Sequence, residues 1–94
     1  MRIADIDVIE ARGNYALLFV GTARHMMRQR MSELQRILEP QGFARIHRSA
    51  IVNLDRVKEI VPQQSGDSVV VLLDGTRLRF SRWYRERFEA RLER

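Results

Sequence analysis

The sequence predicts a mostly β fold, with one short helix in the middle of the chain and a second helix at its C-terminus. Apolar and polar residues alternate over several short segments, which is the period of a half-buried strand. The Asp74-Gly75 dipeptide lies between two apolar runs and is a strong β-hairpin signal. A chain of 94 residues has room for a single small core, so we expect one domain over residues 1–94.

The first part of the chain predicts a meander of short antiparallel strands. Residues 3–11 alternate in polarity and predict the first strand, which a turn signal at residues 12–14 ends. Residues 15–20 are apolar on both faces and predict a buried central strand. After a second turn at Gly21-Thr22, residues 24–29 predict a third strand.

A short helix should follow these strands. Ser32 is a suitable N-cap, and Gln35 three residues later completes a capping-box pattern. Residues 40–42, which are Pro-Gln-Gly, predict the end of this helix. Its expected apolar face consists of Leu34, Ile37 and Leu38. We also expect three methionines to fill the core, namely Met26, Met27 and Met31.

The second half of the chain predicts three more strands and the C-terminal helix. Residues 57–61 predict a strand that Pro62 ends, and residues 68–73 and 76–80 predict the two arms of the hairpin. Ser81 is placed to cap the final helix. The expected apolar positions of that helix are Tyr84, Phe88 and Leu92.

The segment 43–53 organises the chain. Its two ends are apolar, whereas His47, Arg48 and Ser49 in its middle are costly to bury without partners. This pattern predicts two buried anchors that hold a rigid polar turn at the surface. An arginine on such a turn can form paired hydrogen bonds with guanine. For His47, packing against a backbone carbonyl is an alternative to a contact with a ligand.

The charge distribution favours a polyanionic partner. The formal net charge is +5, and all but one of the 17 basic residues are arginines. Residues 22–56 and residues 77–94 each carry a net charge of about +4, whereas the other segments are slightly acidic. If folding brings these two basic segments to one face, they form a footprint for a polyanion.

Several classes of function find no support in the sequence. The absence of cysteine excludes disulfides and thiolate metal sites. No metalloprotease, phosphate-loop or serine-hydrolase motif occurs, so we expect neither an enzyme nor a bound cofactor or metal. No apolar run is long enough for a membrane span, and we expect a cytoplasmic location.

Five motifs, in matching order and spacing, resemble the LytTR DNA-binding domains, which are output domains of bacterial two-component response regulators. The resemblance covers roughly residues 6–93. Its motifs are Ile9–Tyr15, Met31–Leu34 with Leu38 and Phe43, Phe43–Asn53 followed by Val57, Leu73–Thr76, and Phe80–Tyr84.

The resemblance implies a compact stack of small antiparallel sheets whose loops enter the major groove of double-stranded DNA. It implies base-reading roles for Arg48 and Arg82. Where Ala23 offers no polar group, we expect Arg24 or His25 to substitute, and a solvated turn is the alternative. We expect free helix N–H groups beside Arg82 to favour a phosphate. Expected phosphate or positioning contacts are His25, Arg45, His47, Ser49, Arg77, Arg79 and Ser81. It also implies paired repeat sites, a possible homodimer on DNA, and a receiver or sensor domain in the full-length protein.

Two other functions compete with this interpretation. The same arginines could dock an acidic protein partner or an anionic surface. An RNA-binding domain would need exposed aromatic side chains for stacking, and only Tyr15 and Trp83 are candidates. The DNA-binding interpretation requires that Arg48 and Arg82 lie on one exposed surface.

Overall fold

The computed structural model describes residues 1–93, which form two antiparallel sheets and two α-helices. The larger sheet has five strands in the spatial order β3-β2-β1-β5-β4. In chain order they are β1 (Val8–Arg12), β2 (Tyr15–Val20), β3 (Ala23–Met27), β4 (Phe43–His47) and β5 (Ala50–Asn53).

The smaller sheet has three strands in the order β6-β7-β8. Its strands are β6 (Val57–Pro62), β7 (Ser68–Leu72) and β8 (Arg77–Phe80). The helices are α1 (Met31–Leu38) and α2 (Arg82–Leu92), and single 3-10 turns occupy Ile3–Asp5, Glu39–Gln41 and Leu54–Arg56. None of the helices within residues 1–93 is long and apolar enough to cross a bilayer.

The five-stranded sheet is the middle layer, and each of its faces has its own core. Alternating side chains point to opposite faces of a strand, so neighbours such as Val8 and Ile9 enter different cores. On one face Ile9 packs with Phe43 and α1. On the other face Val8 packs with residues of the smaller sheet, including Phe80, and with the partly buried apolar residues of α2.

The register of the strands brings several turns to one end of the five-stranded sheet. Glu10 lies opposite Ala50, and the backbone N–H of Ala11 donates to the carbonyl of Ser49 at 2.9 Å. The β1–β2 turn, the β4–β5 turn and the end of β3 are therefore at this end, which we call the turn end. The β2–β3 turn lies at the opposite end, because consecutive turns of an antiparallel meander alternate between ends.

The mostly β class, the antiparallel strands and the Ser81 cap are confirmed. The Ser81 hydroxyl accepts a hydrogen bond from the Tyr84 N–H, and Gly75 provides the positive φ of the β7–β8 turn. On β8, Arg77 and Arg79 are exposed, whereas Phe80 is buried, as the alternation predicts.

The predicted first strand is too long at its start. Residues 3–5 form a 3-10 turn, and β1 begins only at Val8. The reason is the buried amide of Asn53, which donates to the carbonyl oxygens of Ala4 and Ile6. These bonds hold the N-terminal segment outside the sheet. The third strand is also shorter than predicted: β3 ends at Met27, two residues before its predicted end at residue 29.

The predicted capping of α1 is wrong. The helix begins at Met31, so Ser32 lies inside its first turn, and the N-cap position makes no side-chain capping bond. Gln35 instead donates to the Glu39 carboxylate. The core face differs from the prediction at Ile37, which is 39% exposed, whereas Met31 is buried as predicted.

Three further residues lie outside the core, contrary to the prediction. Met26 and Met27 are 60% and 38% exposed, because β3 is an edge strand whose five residues are all exposed. Leu92 is 65% exposed at the end of α2, whereas Tyr84 and Phe88 pack partly against the core.

Replacing Asn53 tests how the N-terminal segment is anchored. Asn53→Ala removes two bonds to backbone carbonyls and the bond that the side chain accepts from the Asp55 N–H. We expect the free energy of unfolding to fall by about 2–4 kcal/mol, because buried acceptors and a helix cap lose their partner. Urea denaturation measures the change.

The matched control is Asn14→Ala in the exposed β1–β2 turn, which should change the free energy of unfolding by less than about 0.5 kcal/mol. Equal effects of the two substitutions would show that Asn53 does not anchor the segment.

Candidate nucleic-acid interface

The β4–β5 turn presents Arg48 and Ser49 at the turn end. Both residues are exposed and are the only two between the strands. The strand pairing slips between Arg45 and His47, which marks a β-bulge next to the turn. Bulges re-aim side chains at the ends of strands, and this one adjoins the predicted base-reading arginine.

His47 supports the turn from inside. Its Nδ1 accepts a hydrogen bond from the Ser49 N–H at 3.1 Å, which requires that this nitrogen is unprotonated. Burial lowers the pKa of His47 from its usual value, and the positive charges of Arg79 and Arg45 lower it further, against the opposing charge of Glu10. The imidazole is therefore neutral at neutral pH and shapes the turn.

Arg45 fixes the same turn from the edge of the sheet. Its guanidinium donates to the carbonyl oxygen of Arg48 at 2.6 Å and to that of His47 at 3.3 Å. The same group donates to Gln35 on α1 at 3.2 Å and lies 5.2 Å from the ring centre of Tyr84 on α2. Arg45 thus joins the turn to both helices, which is a positioning contact.

The start of α2 lies beside this turn. The backbone N–H of Ser81 donates to the carbonyl of Ile46 at 2.8 Å and so joins the end of β8 to the end of β4. Arg82 follows Ser81 directly, and Arg48 is two residues from Ile46. The Cα atoms of Arg48 and Arg82 are therefore at most about 16 Å apart. Both residues are exposed, and their backbones lie at the same end of the domain.

Ser81 itself is 7% exposed, and its hydroxyl accepts from the Tyr84 N–H. This side chain fixes the start of α2. The expectation of a free helix N–H at Arg82 is wrong, because the Arg82 N–H donates to Asp67 Oδ1 at 2.9 Å. The other oxygen of Asp67 accepts from Arg79 Nε at 3.2 Å. Arg79 thereby also belongs to the turn end.

Three predicted site residues lie elsewhere. Arg24 is opposite Phe19 on the edge strand β3, four strands away from β4. With strands about 4.8 Å apart, it lies about 20 Å or more from Arg48. Its guanidinium covers the Phe19 ring at 4.3 Å and donates to the carbonyl of Gly21. His25 is its exposed neighbour, and Arg77 is at the far end of β8, beside the β7–β8 turn.

The structure adds residues that the sequence reasoning missed. An open cleft at the turn end is lined by the β1–β2 turn, including Asn14 and Tyr15, and by the segment that joins β3 to α1, including Arg28 and Arg30. This segment reaches the turn end because β3 ends at Met27. The alternation of turns in an antiparallel meander was the signal that could have located these two arginines.

The turn end therefore collects guanidinium groups from three separate segments. Arg28 and Arg30 come from the β3–α1 segment, Arg48 from the β4–β5 turn, and Arg79 and Arg82 from the end of β8 and the start of α2. Within the described residues, Glu10 and Asp67 at this end are each hydrogen-bonded to an arginine. Such a surface is suited to a phosphate backbone.

A family model described as the LytTr DNA-binding domain matches residues 1–93. The CO-responsive transcriptional regulator RcoM of Rhodospirillum rubrum is 32% identical over 68 residues, which are 72% of this chain and 29% of that protein. The chain thus spans less than a third of the length of this relative.

A solved structure with the same fold comes from Bacillus cereus. It is the LytTr DNA-binding domain of a protein described as a methyl-accepting/DNA response regulator. The TM-score is 0.87 over 98% of this chain and 84% of that chain, with 23% sequence identity.

The bond between His47 and Ser49 predicts a pH dependence of stability. The pKa of His47 is lowered in the folded state, so below about pH 6.5 the unfolded state binds more protons. The stabilisation is complete above the unfolded-state pKa and is lost as the pH falls through the folded-state pKa. The loss is at most about 1.4 kcal/mol per pH unit.

His47→Asn should remove this dependence, because the Asn Oδ1 can accept the Ser49 N–H at any pH. Urea denaturation of both proteins between pH 7.5 and 5.5 measures the difference. We expect the free energies of unfolding to converge or cross as the pH falls. Parallel pH profiles would contradict the assigned hydrogen bond.

Proposed function

The chain belongs to the LytTR DNA-binding domain family, and we propose that it binds double-stranded DNA sequence-specifically as the output domain of a bacterial transcriptional regulator. The surface that carries this proposal is the β4–β5 turn together with the start of α2. The observation behind it is the hydrogen bond from Ser81 N–H to the Ile46 carbonyl, which holds the backbones of two exposed residues, Arg48 and Arg82, within about 16 Å of each other.

Arg48 and Arg82 are the proposed base readers in the major groove. A guanidinium group can donate two hydrogen bonds to the O6 and N7 atoms of guanine, which discriminates among bases by about 1–3 kcal/mol. Rigid support increases this discrimination, and the carbonyl of Arg48 is held by Arg45. Arg48 would read from a loop, the β4–β5 turn, and Arg82 from the first residue of α2.

The residues around these arginines divide into two roles. Ser49 and Arg79 are exposed at the turn end and are proposed to contact phosphates. Arg45, His47 and Ser81 are proposed positioning residues, because their polar groups are engaged with the turn and the helix start.

Arg24, His25 and Arg77 are proposed to contact the DNA outside this surface. The domain is 35 Å long, and one turn of B-DNA rises about 34 Å, so one molecule can span about one turn. Arg24, about 20 Å or more from Arg48, would then reach a separate segment of the duplex.

The wider context is also part of the proposal. Two copies bind paired repeat sites and form a homodimer on DNA, and the full-length regulator carries a receiver or sensor domain in the cytoplasm. The further domain is supported by the large part of the RcoM relative that lies outside the matched region. We propose no catalytic role for the domain.

The competing function is a basic module for an acidic protein partner or an anionic surface. Such a module would bind its partner through the arginines of α2, but several of these arginines already interact with other side chains of the domain. Arg85 pairs with Glu89, Arg91 pairs with Glu39, and Arg87 stacks 3.7 Å from the ring centre of Trp83. Arg82 pairs with Glu86 at 3.6 Å, but its side chain remains 66% exposed, and together with the exposed Arg48 it favours DNA.

Selection from a random duplex pool, followed by mutation, tests the proposed function. We expect enriched sequences, and Arg48→Ala should weaken binding to them by about 5- to 150-fold, which corresponds to 1–3 kcal/mol. Binding to scrambled DNA should weaken much less. Fluorescence anisotropy at several salt concentrations measures both affinities.

The control is Arg2→Ala, which removes the same charge from an exposed residue that hydrogen-bonds Asp5 at the opposite end of the domain. It should leave the preference for the selected sequence intact. A pool without enrichment, or equal losses on selected and scrambled DNA for Arg48→Ala, would favour the competing electrostatic module.

A further inference from the structure

One carboxylate sits against the proposed base-reading surface. Asp67, in the loop between β6 and β7, accepts the Arg82 N–H at 2.9 Å with Oδ1 and Arg79 Nε at 3.2 Å with Oδ2. Its side chain is 34% exposed, and that of Arg79 is 66% exposed. The carboxylate therefore lies where DNA would approach, bound to the same groups that would attract a phosphate.

The neighbouring residue of the loop also touches a proposed base reader. Gly66 has φ +95°, and a Cβ built there would lie 3.4 Å from Arg82 Cδ and 3.6 Å from its Nη1. The Arg82 side chain thus lies along the Gly66 backbone, and a larger residue at position 66 would crowd it. Gly66 and Asp67 together contact both the backbone and the side chain of Arg82.

We propose that Asp67 is a specificity-determining residue, which positions Arg79 and Arg82 and lowers the affinity of the domain for non-specific DNA. This inference rests on the proposed function. It adds a carboxylate, which binds no DNA itself, to the residues that set the difference between specific and non-specific affinity.

The first effect is electrostatic. Non-specific affinity depends on the number of phosphates that the protein neutralises, with a salt slope of about −0.9 for each. Asp67 offsets the charge of Arg79 and occupies a helix N–H that would favour a phosphate. Without this carboxylate, one more phosphate can be neutralised, which at 0.1 M salt raises the affinity by up to about 8-fold.

The second effect is positional. A base is read only when the arginine fork is held in register with its edge. Asp67 fixes the first residue of α2, and Gly66 guides the Arg82 side chain. Loosening these contacts costs specific affinity but not non-specific affinity, because phosphate contacts tolerate many orientations. The ratio of the two affinities should therefore fall.

The test is Asp67→Asn, measured by fluorescence anisotropy on a duplex selected with the wild-type domain and on scrambled DNA. The matched control is Asp74→Asn, which removes an equal charge from the exposed β7–β8 turn. In each variant the amide oxygen can still accept the backbone N–H, of Arg82 or of Thr76, and only Asp67→Asn removes the acceptor of an arginine side chain, Arg79. Thermal unfolding verifies that both variants are folded.

We expect Asp67→Asn to raise the affinity for scrambled DNA by about 3- to 8-fold, to steepen the salt slope by about 0.9, and to lower the specificity ratio at least 3-fold. Asp74→Asn should leave the ratio unchanged. In an Arg79→Ala background, Asp67→Asn should raise the affinity for scrambled DNA by a smaller factor, because the arginine that Asp67 neutralises is absent. A small change in folding caused by Asp67→Asn would act in both backgrounds, so the comparison separates it from the effect on Arg79.

An unchanged ratio in Asp67→Asn, or an equal effect of Asp74→Asn, would overturn the inference. The proposed function fails separately, namely when the wild-type domain selects no sequence at all. A wild-type preference that survives Asp67→Asn would therefore refute the role of Asp67 alone.

Discussion

The arrangement of the surface depends on one backbone hydrogen bond, from Ser81 N–H to the carbonyl of Ile46. It joins the end of the smaller sheet to the end of the larger one at the point where β8 becomes α2. Phe80 and Ile46 on either side of it are fully buried, so the bond is shielded from water. Two basic segments that are far apart in the sequence meet because of this junction.

The arginines of the domain serve different purposes, although the sequence shows them as one basic population. Arg45 and Arg56 hold the fold together, through the β4–β5 turn and through the Asp7 carboxylate. Arg48 and Arg82 are exposed beside the junction. The net charge therefore overstates the number of groups that are free to meet DNA, and position decides which arginines matter.

Local signals predicted much of the fold, and longer-range contacts account for the errors. Polarity alternation and turn residues located most of the strands, and Ser81 caps α2 as its position suggested. The exposure of Met26 could not be read from periodicity, because it depends on β3 lying at the edge of the sheet. Likewise the 3-10 turn at residues 3–5 depends on Asn53, about fifty residues later.

In the candidate interface too, local signals were visible in the sequence and longer-range contacts were not. The polar turn around Arg48 was visible in the sequence, since apolar anchors flank it. The distance of Arg24 from this turn was not, because strand order follows from packing across the whole sheet. The contact of Asp67 with Arg79 and Arg82 was also hidden, because the loop and the helix start meet only in the folded domain.

The most direct test of the central claim, that Arg48 and Arg82 read one duplex side by side, is a base-by-base substitution of the selected DNA. Affinities of the wild-type domain, Arg48→Ala and Arg82→Ala are compared for each substituted base pair. We predict that each variant loses discrimination at a different base pair, and that the two lie within one helical turn, about 10 base pairs. Uniform losses at every base pair, or positions more than one turn apart, would contradict the account.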